Sequence, residues 1–241
     1  MKSILQTIAR RAADFESHAL FTALKDPTIA LEHKLAIVPA LSHFVMTFAD
    51  IYAWVLRDEG TNDWLQRIVN AHAREDGDHW KWYLSDLDKL GYGPRMPFSE
   101  ALRFVWGERL LRTRMLSYEI CRLGLGADPL KKLALVLCIE ATGAVTLRHV
   151  APLGEALAER KGVKLTYFGM HHLRSEDDHT LEEDSVRTEL EAMNLDEDIA
   201  RDLERTVHGV FDPFMGGADD LLAHVRSPEL LPPSLRAGTV P

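Results

Sequence analysis

The sequence predicts an all-α fold, a single-domain bundle of about seven helices. Three observations carry that expectation. No stretch of useful length alternates apolar and polar residues in the manner of a strand. Apolar residues recur at three-four spacing, as in Leu65, Ile68, Tyr83, Leu87 and Leu90. Glycine, proline and capping residues gather at a few points, among them Asp26-Pro27, Gly60, residues 91–97, Gly124-Leu125-Gly126 and Gly162.

The elements follow in order. A first helix runs to about Lys25, and a second covers about Ile29 to Asp58, with Pro39 expected to kink it. The third begins near Thr61-Asn62-Asp63, whose polar side chains can cap it, and stops at Gly91. Ser99 is the expected cap of the fourth, which ends at Gly124. Asp128-Pro129 opens the fifth, with aspartate as cap and proline in the first turn. The sixth spans about Leu165 to Met193. The seventh spans about Asp196 to Val225, with Gly216-Gly217 as its weak point. Residues 1–226 then form one domain and residues 227–241, with Pro232-Pro233, an extended tail.

The chain has 241 residues, enough for one sizeable core. Its formal net charge of −9, with lysines and arginines dispersed among acids, argues against a nucleic-acid or anionic-membrane partner. Cys121 and Cys138 sit in apolar helical runs and read as buried, reduced thiols. The N-terminal apolar stretch is broken by charge too early for a signal peptide, and no stretch reads as a membrane span. A cytoplasmic protein is expected.

The most informative feature is a repeated segment. His72-Ala-Arg74-Glu-Asp76-Gly-Asp78-His79 returns one hundred residues later as His172-Leu-Arg174-Ser-Glu176-Asp-Asp178-His179. A histidine, a carboxylate and a histidine at i, i+4 and i+7 share one stripe of an α-helix. In both segments that stripe continues the apolar one: Leu65 and Ile68 lead to His72, and Leu165 and Phe168 lead to His172. Ionisable groups on a buried stripe are costly unless paired or bound to a metal. Imidazoles and carboxylates suit iron, manganese or zinc, and no cysteine in the cluster points to a structural zinc site. A buried hydrogen-bonded network is the alternative.

Glu140, alone in an apolar run of the fifth helix, adds a third contribution. His43 and Asp50 offer a weaker counterpart on the second helix, read as structural. Arg74, Arg174, Asp78 and Asp178 point off the stripe, as surface pairs or partners of the ligands. Phe44, Met46, Phe48, Tyr52, Trp80, Tyr83, Phe168 and Met170 can line a pocket, although such residues at helical spacing usually form plain core.

At these residues the chain resembles the haem-oxygenase-like di-iron oxidases. That superfamily includes haem oxygenase, TenA-type thiaminases, PqqC and the chlamydial protein associating with death domains. The resemblance rests on Glu140 and on His172-x3-Glu176-x2-His179. The first element departs from the family's Glu-x6-His, because His72 stands where the glutamate would. Asp76-x2-His79 matches a shorter variant, with aspartate for glutamate. The resemblance implies a metal site drawn from His72, Asp76, His79, Glu140, His172, Glu176 and His179, in which either His72 ligates in place of a carboxylate or Asp76 takes over. It implies two Fe(II) per chain, O2 as co-substrate, and an oxidase or oxygenase acting on a small amino-acid-like or fatty-acid-like substrate. A homodimer stays open. The rivals are a metal-free TenA- or PqqC-like enzyme, a haem protein using His18, and a non-catalytic binding protein on the same fold.

Overall fold

A computed structural model describes residues 1–92, 97–176, 184–227 and 229, with the side chains of Glu176 and Asp184 outside that description. Among the described residues every regular element is helical, as expected. The expected long helices are more broken than their periodicity implies. The first divides into α1 (Lys2–Glu16) and α2 (Ala19–Lys25), because His18 Nδ1 accepts from the Leu20 N–H and caps a new start. The second becomes α3 (Leu31–Lys34), α4 (Ile37–Ala40), α5 (Ser42–Asp50) and a π turn over Ile51–Leu56. The break falls at Leu41, just beyond Pro39, and Ser42 Oγ bonds back to the Pro39 carbonyl at 2.6 Å.

Asp63 caps the third helix as expected, accepting from Leu65 N and Gln66 N. That helix is not continuous: α6 (Trp64–Glu75) passes through a 3-10 turn at Asp76–Asp78 into α7 (His79–Lys89). Gly91, at φ 78°, turns the chain out of α7. The fourth helix starts at Phe98 rather than behind a Ser99 cap. It splits into α8 (Phe98–Val105), a 3-10 turn at Glu108–Leu110, and α9 (Leu111–Gly124). The fifth is α10 (Pro129–Lys161), opened by Asp128 and closed by left-handed Gly162.

The sixth is corrected most. Residues 165–169 are not helical, α11 covers Met170–Glu176, and α12 covers Asp184–Ala192. The seventh, α13 (Glu197–Arg226), runs unbroken through Gly216-Gly217. Gly217 is buried there because a Cβ would meet Leu116 of α9 at 3.2 Å, so the glycine lets two helices close rather than weakening one. The expected tail lies almost wholly outside the described residues.

Among the described residues the main apolar core runs from Met1 to Val225, with a small satellite at Ala36 against Tyr92 and Phe104. Its axis is α10, packed on α1, α6, α11 and α13. At 33 residues α10 does have the length and hydropathy of a membrane span, contrary to expectation. Its most apolar window is 61% buried inside the protein, the pattern of a helix that is apolar all round because neighbours cover it. Glu140 sits in the first half of this helix, against His72 of α6 and Tyr52 of the π turn.

Candidate metal centre

Asp76 organises the site. It is 6% exposed, in the 3-10 turn between α6 and α7, and its two carboxylate oxygens face different partners. Oδ2 lies 3.4 Å from His72 Nε2 and accepts the Tyr52 hydroxyl at 3.1 Å. Oδ1 lies 3.3 Å from His79 Nδ1. The turn makes this division. Three residues wound at 3-10 rather than α pitch rotate the chain by about 60° more. His72 and His79 therefore address opposite edges of the one carboxylate.

On the inner side, fully buried His72 sends Nε2 to Glu140 Oε1 at 3.0 Å and to the Tyr52 hydroxyl at 3.0 Å. Tyr52 also reaches Glu140 Oε1 at 3.4 Å. Burial opposes charge on His72. Hydrogen bonds to Asp76 and Glu140, and their negative charges, outweigh that and push its pKa up to about 10. Two buried amides of α6 hold the π turn in place: Gln66 Nε2 donates to Leu56 O at 2.8 Å, and Asn70 bonds both Asp58 N and Asp58 O.

On the outer side, His79 and His172 meet ring to ring at 4.7 Å, and Trp82 stacks on His79 at 4.2 Å. His172 is 5% exposed, and its Nδ1 lies 2.9 Å from the Tyr167 carbonyl. That contact assigns the ring proton to Nδ1 and leaves Nε2 as the ring nitrogen that carries the lone pair. The carbonyl is itself held in place. Asp86, fully buried on α7, accepts from Thr166 N at 2.7 Å and Phe168 N at 3.0 Å, the amides flanking Tyr167.

No family model matches this chain, and no match to a curated protein was found. The site is therefore judged on its own donors. His72, Asp76 and Glu140 offer ligand atoms within 4.8 Å of one another. Metal bonds of about 2.0–2.2 Å put adjacent ligand atoms about 3.0–3.5 Å apart, the spacing these groups show. The set is imidazole and oxygen without thiolate, which fits iron, manganese or zinc. A metal ion fits the residues present.

Of the seven expected ligands, the structure brings five together: His72, Asp76, His79, Glu140 and His172. His179 and the Glu176 side chain lie outside the described residues. His43 is buried elsewhere, between Trp106 and Tyr118 with Ser117 Oγ 3.4 Å away, and Asp50 is exposed. Arg74 pairs with Glu59 and Asp78 with Lys81 on the surface. His18 uses both nitrogens, on Leu20 N and Asp219, which suits a cap rather than a haem ligand.

Sequence reasoning missed two residues. Tyr52 reads from the sequence as plain core or pocket wall, and nothing in its apolar surroundings distinguishes it. Asp86 did carry a signal, since it interrupts the apolar helical stripe of Tyr83 and Leu90 with a carboxylate.

A cavity of about 120 Å³ opens onto the cluster. A single water needs about 10–15 Å³ by this measure, so the space takes an organic molecule. Asp76, His79, Glu140 and His172 form part of its wall. Of the eight pocket candidates Phe44, Phe48 and Phe168 line it, joined by Phe21, Leu24 and Phe214, while Met46, Tyr52, Trp80, Tyr83 and Met170 are not among its described lining residues. Thr113, Thr142 and Thr146 add hydroxyls, and no lysine or arginine appears among the described lining residues.

Proposed function

We propose that this chain is an O2-activating non-haem di-iron oxidase or oxygenase acting on a small, predominantly apolar organic substrate. The observation that carries the reading is the placement of Asp76, one carboxylate shared between two imidazole-bearing sides of a buried cleft. His72, Glu140 and Asp76 Oδ2 would hold one iron. His79, His172 and Asp76 Oδ1 would hold the other. The bound pair supplies the redox chemistry of O2 reduction, which no side chain here supplies alone.

The rest falls to the protein. The Tyr167 carbonyl keeps the His172 proton on Nδ1. The phenyl and leucyl walls exclude water and favour an aliphatic or aromatic substrate body over a zwitterionic one. The threonine hydroxyls provide the few polar contacts that orient it.

A second reading is favoured by one observation. The high pKa of His72 lets an imidazolium neutralise Asp76 and Glu140 without a metal, giving a structural network in a non-catalytic binding protein. Metal analysis after anaerobic Fe(II) addition and desalting, followed by O2 consumption, separates the two. About two irons per chain and an O2 uptake that depends on them support the oxidase. A protein that retains no iron supports the network.

A further inference from the structure

Tyr52 is fully buried in the π turn, and its hydroxyl lies 3.0, 3.1 and 3.4 Å from His72 Nε2, Asp76 Oδ2 and Glu140 Oε1. It touches all three members of the inner donor group, at the separations that ligands of one ion take. We propose that Tyr52 is itself a ligand, the phenolate donor of the inner metal position. The inference rests on the di-iron reading above and adds a fourth donor to it.

Two further observations support it. The π turn is the one segment of its kind among the described residues, and such turns are costly and concentrate at functional sites. The turn is also fastened to the ligand-bearing helix. Gln66 and Asn70, 1% and 4% exposed, sit on α6 ahead of His72 and bind Leu56 and Asp58 where the turn ends. Buried amides spent on a backbone junction fix the position of Tyr52 relative to His72 and Asp76. A phenol needed only as core filling requires no such fastening.

On binding, the Tyr52 O–H bond breaks, its proton leaves to the buffer, and the oxygen's electron pair forms the bond to iron. A phenolate donor adds negative charge to a set otherwise made of one imidazole and two carboxylates.

The test loads the full chain with Fe(II) anaerobically, oxidises it to Fe(III) with ferricyanide, and reads the visible spectrum and resonance Raman scattering. Wild type should show a phenolate-to-iron charge-transfer band with enhanced tyrosine ring modes. Tyr52→Phe should lose the band, either keeping its iron or losing up to one equivalent, with an unchanged helical circular-dichroism spectrum. Tyr167→Phe, near His172 on the outer side, should keep the band. Iron-loaded wild type without the band, or a band that survives Tyr52→Phe, overturns the ligand assignment and leaves the di-iron reading standing. Failure of wild type to bind iron overturns both. If Tyr52→Phe fails to fold, the wild-type spectrum with that of Tyr167→Phe decides: no band, or a band lost in Tyr167→Phe, rejects the assignment.

Discussion

The two copies of the repeated segment are alike in sequence and unlike in structure. His72 stands near the end of a twelve-residue helix, fully buried, and its segment crosses a 3-10 turn before reaching His79. His172 stands in the first turn of the short α11, behind an irregular stretch, with its Nδ1 tied to a loop carbonyl. The inner side is assembled by hydrogen bonds among His72, Asp76, Glu140 and Tyr52. The outer side is assembled by ring contacts among His79, Trp82 and His172. The shared motif specifies which atoms are present. The surrounding chain decides how each is presented.

The largest effect should come from removing the residue that joins the two sides. Asp76→Ala is expected to lower iron content from about two per chain to less than one. His72→Ala and His79→Ala should each cost about one. Elemental analysis checks this, and equal losses in all three variants would contradict a shared carboxylate.

Next is the loop that presents His172. Asp86→Ala removes the hydrogen bonds that Thr166 N, Phe168 N and Lys89 Nζ donate to a buried carboxylate and should destabilise the fold by about 3 kcal/mol in urea titration. Through the Tyr167 carbonyl it should also weaken iron binding by about 10- to 100-fold, the usual effect of disturbing a ligand's orienting partner. A destabilised protein with wild-type iron affinity would separate Asp86 from the site.

The two sides of the molecule also differ in pH response. In metal-free protein the folded pKa of His72 is raised to about 10, above its ordinary 6.5. Its stabilising contribution is full below about pH 6.5 and is lost as pH rises toward 10. Burial depresses the pKa of His43 and His224, away from the cluster, so they act oppositely: they favour folding above their ordinary 6.5 and oppose it as pH falls below. Denaturation from pH 6 to 10 should show His72→Gln losing the alkaline decline. Iron loading should remove that decline in wild type, because the metal takes the proton's place.

The smallest effect belongs to His171, exposed against Trp82. His171→Ala should change stability by no more than about 0.5 kcal/mol and leave iron content untouched.

The helical class and the convergence of His72, Asp76, His79, Glu140 and His172 were legible because each rests on periodicity. His72 and His172 interrupt apolar stripes at helical spacing, and Asp128, Asp63, Gly91 and Gly162 are caps and stops that act locally. The kink at Pro39 was legible because proline acts locally, and the His18 cap is also a local contact; the break ahead of α11 was not legible, because tertiary contacts make it. Asp86 captures the amides of Thr166 and Phe168 across the fold and keeps residues 165–169 from joining α11. Tyr52 was illegible for a related reason: a tyrosine among Ile51, Trp54 and Leu56 is ordinary core until Gln66 and Asn70 are seen to fasten its turn.

Iron-edge anomalous diffraction from crystals soaked anaerobically with Fe(II) tests the central claim most directly. The account predicts two peaks on opposite edges of the Asp76 carboxylate, one also bonded to His72 and Glu140, the other to His79 and His172. No peak, or peaks that leave Asp76 untouched, would contradict it.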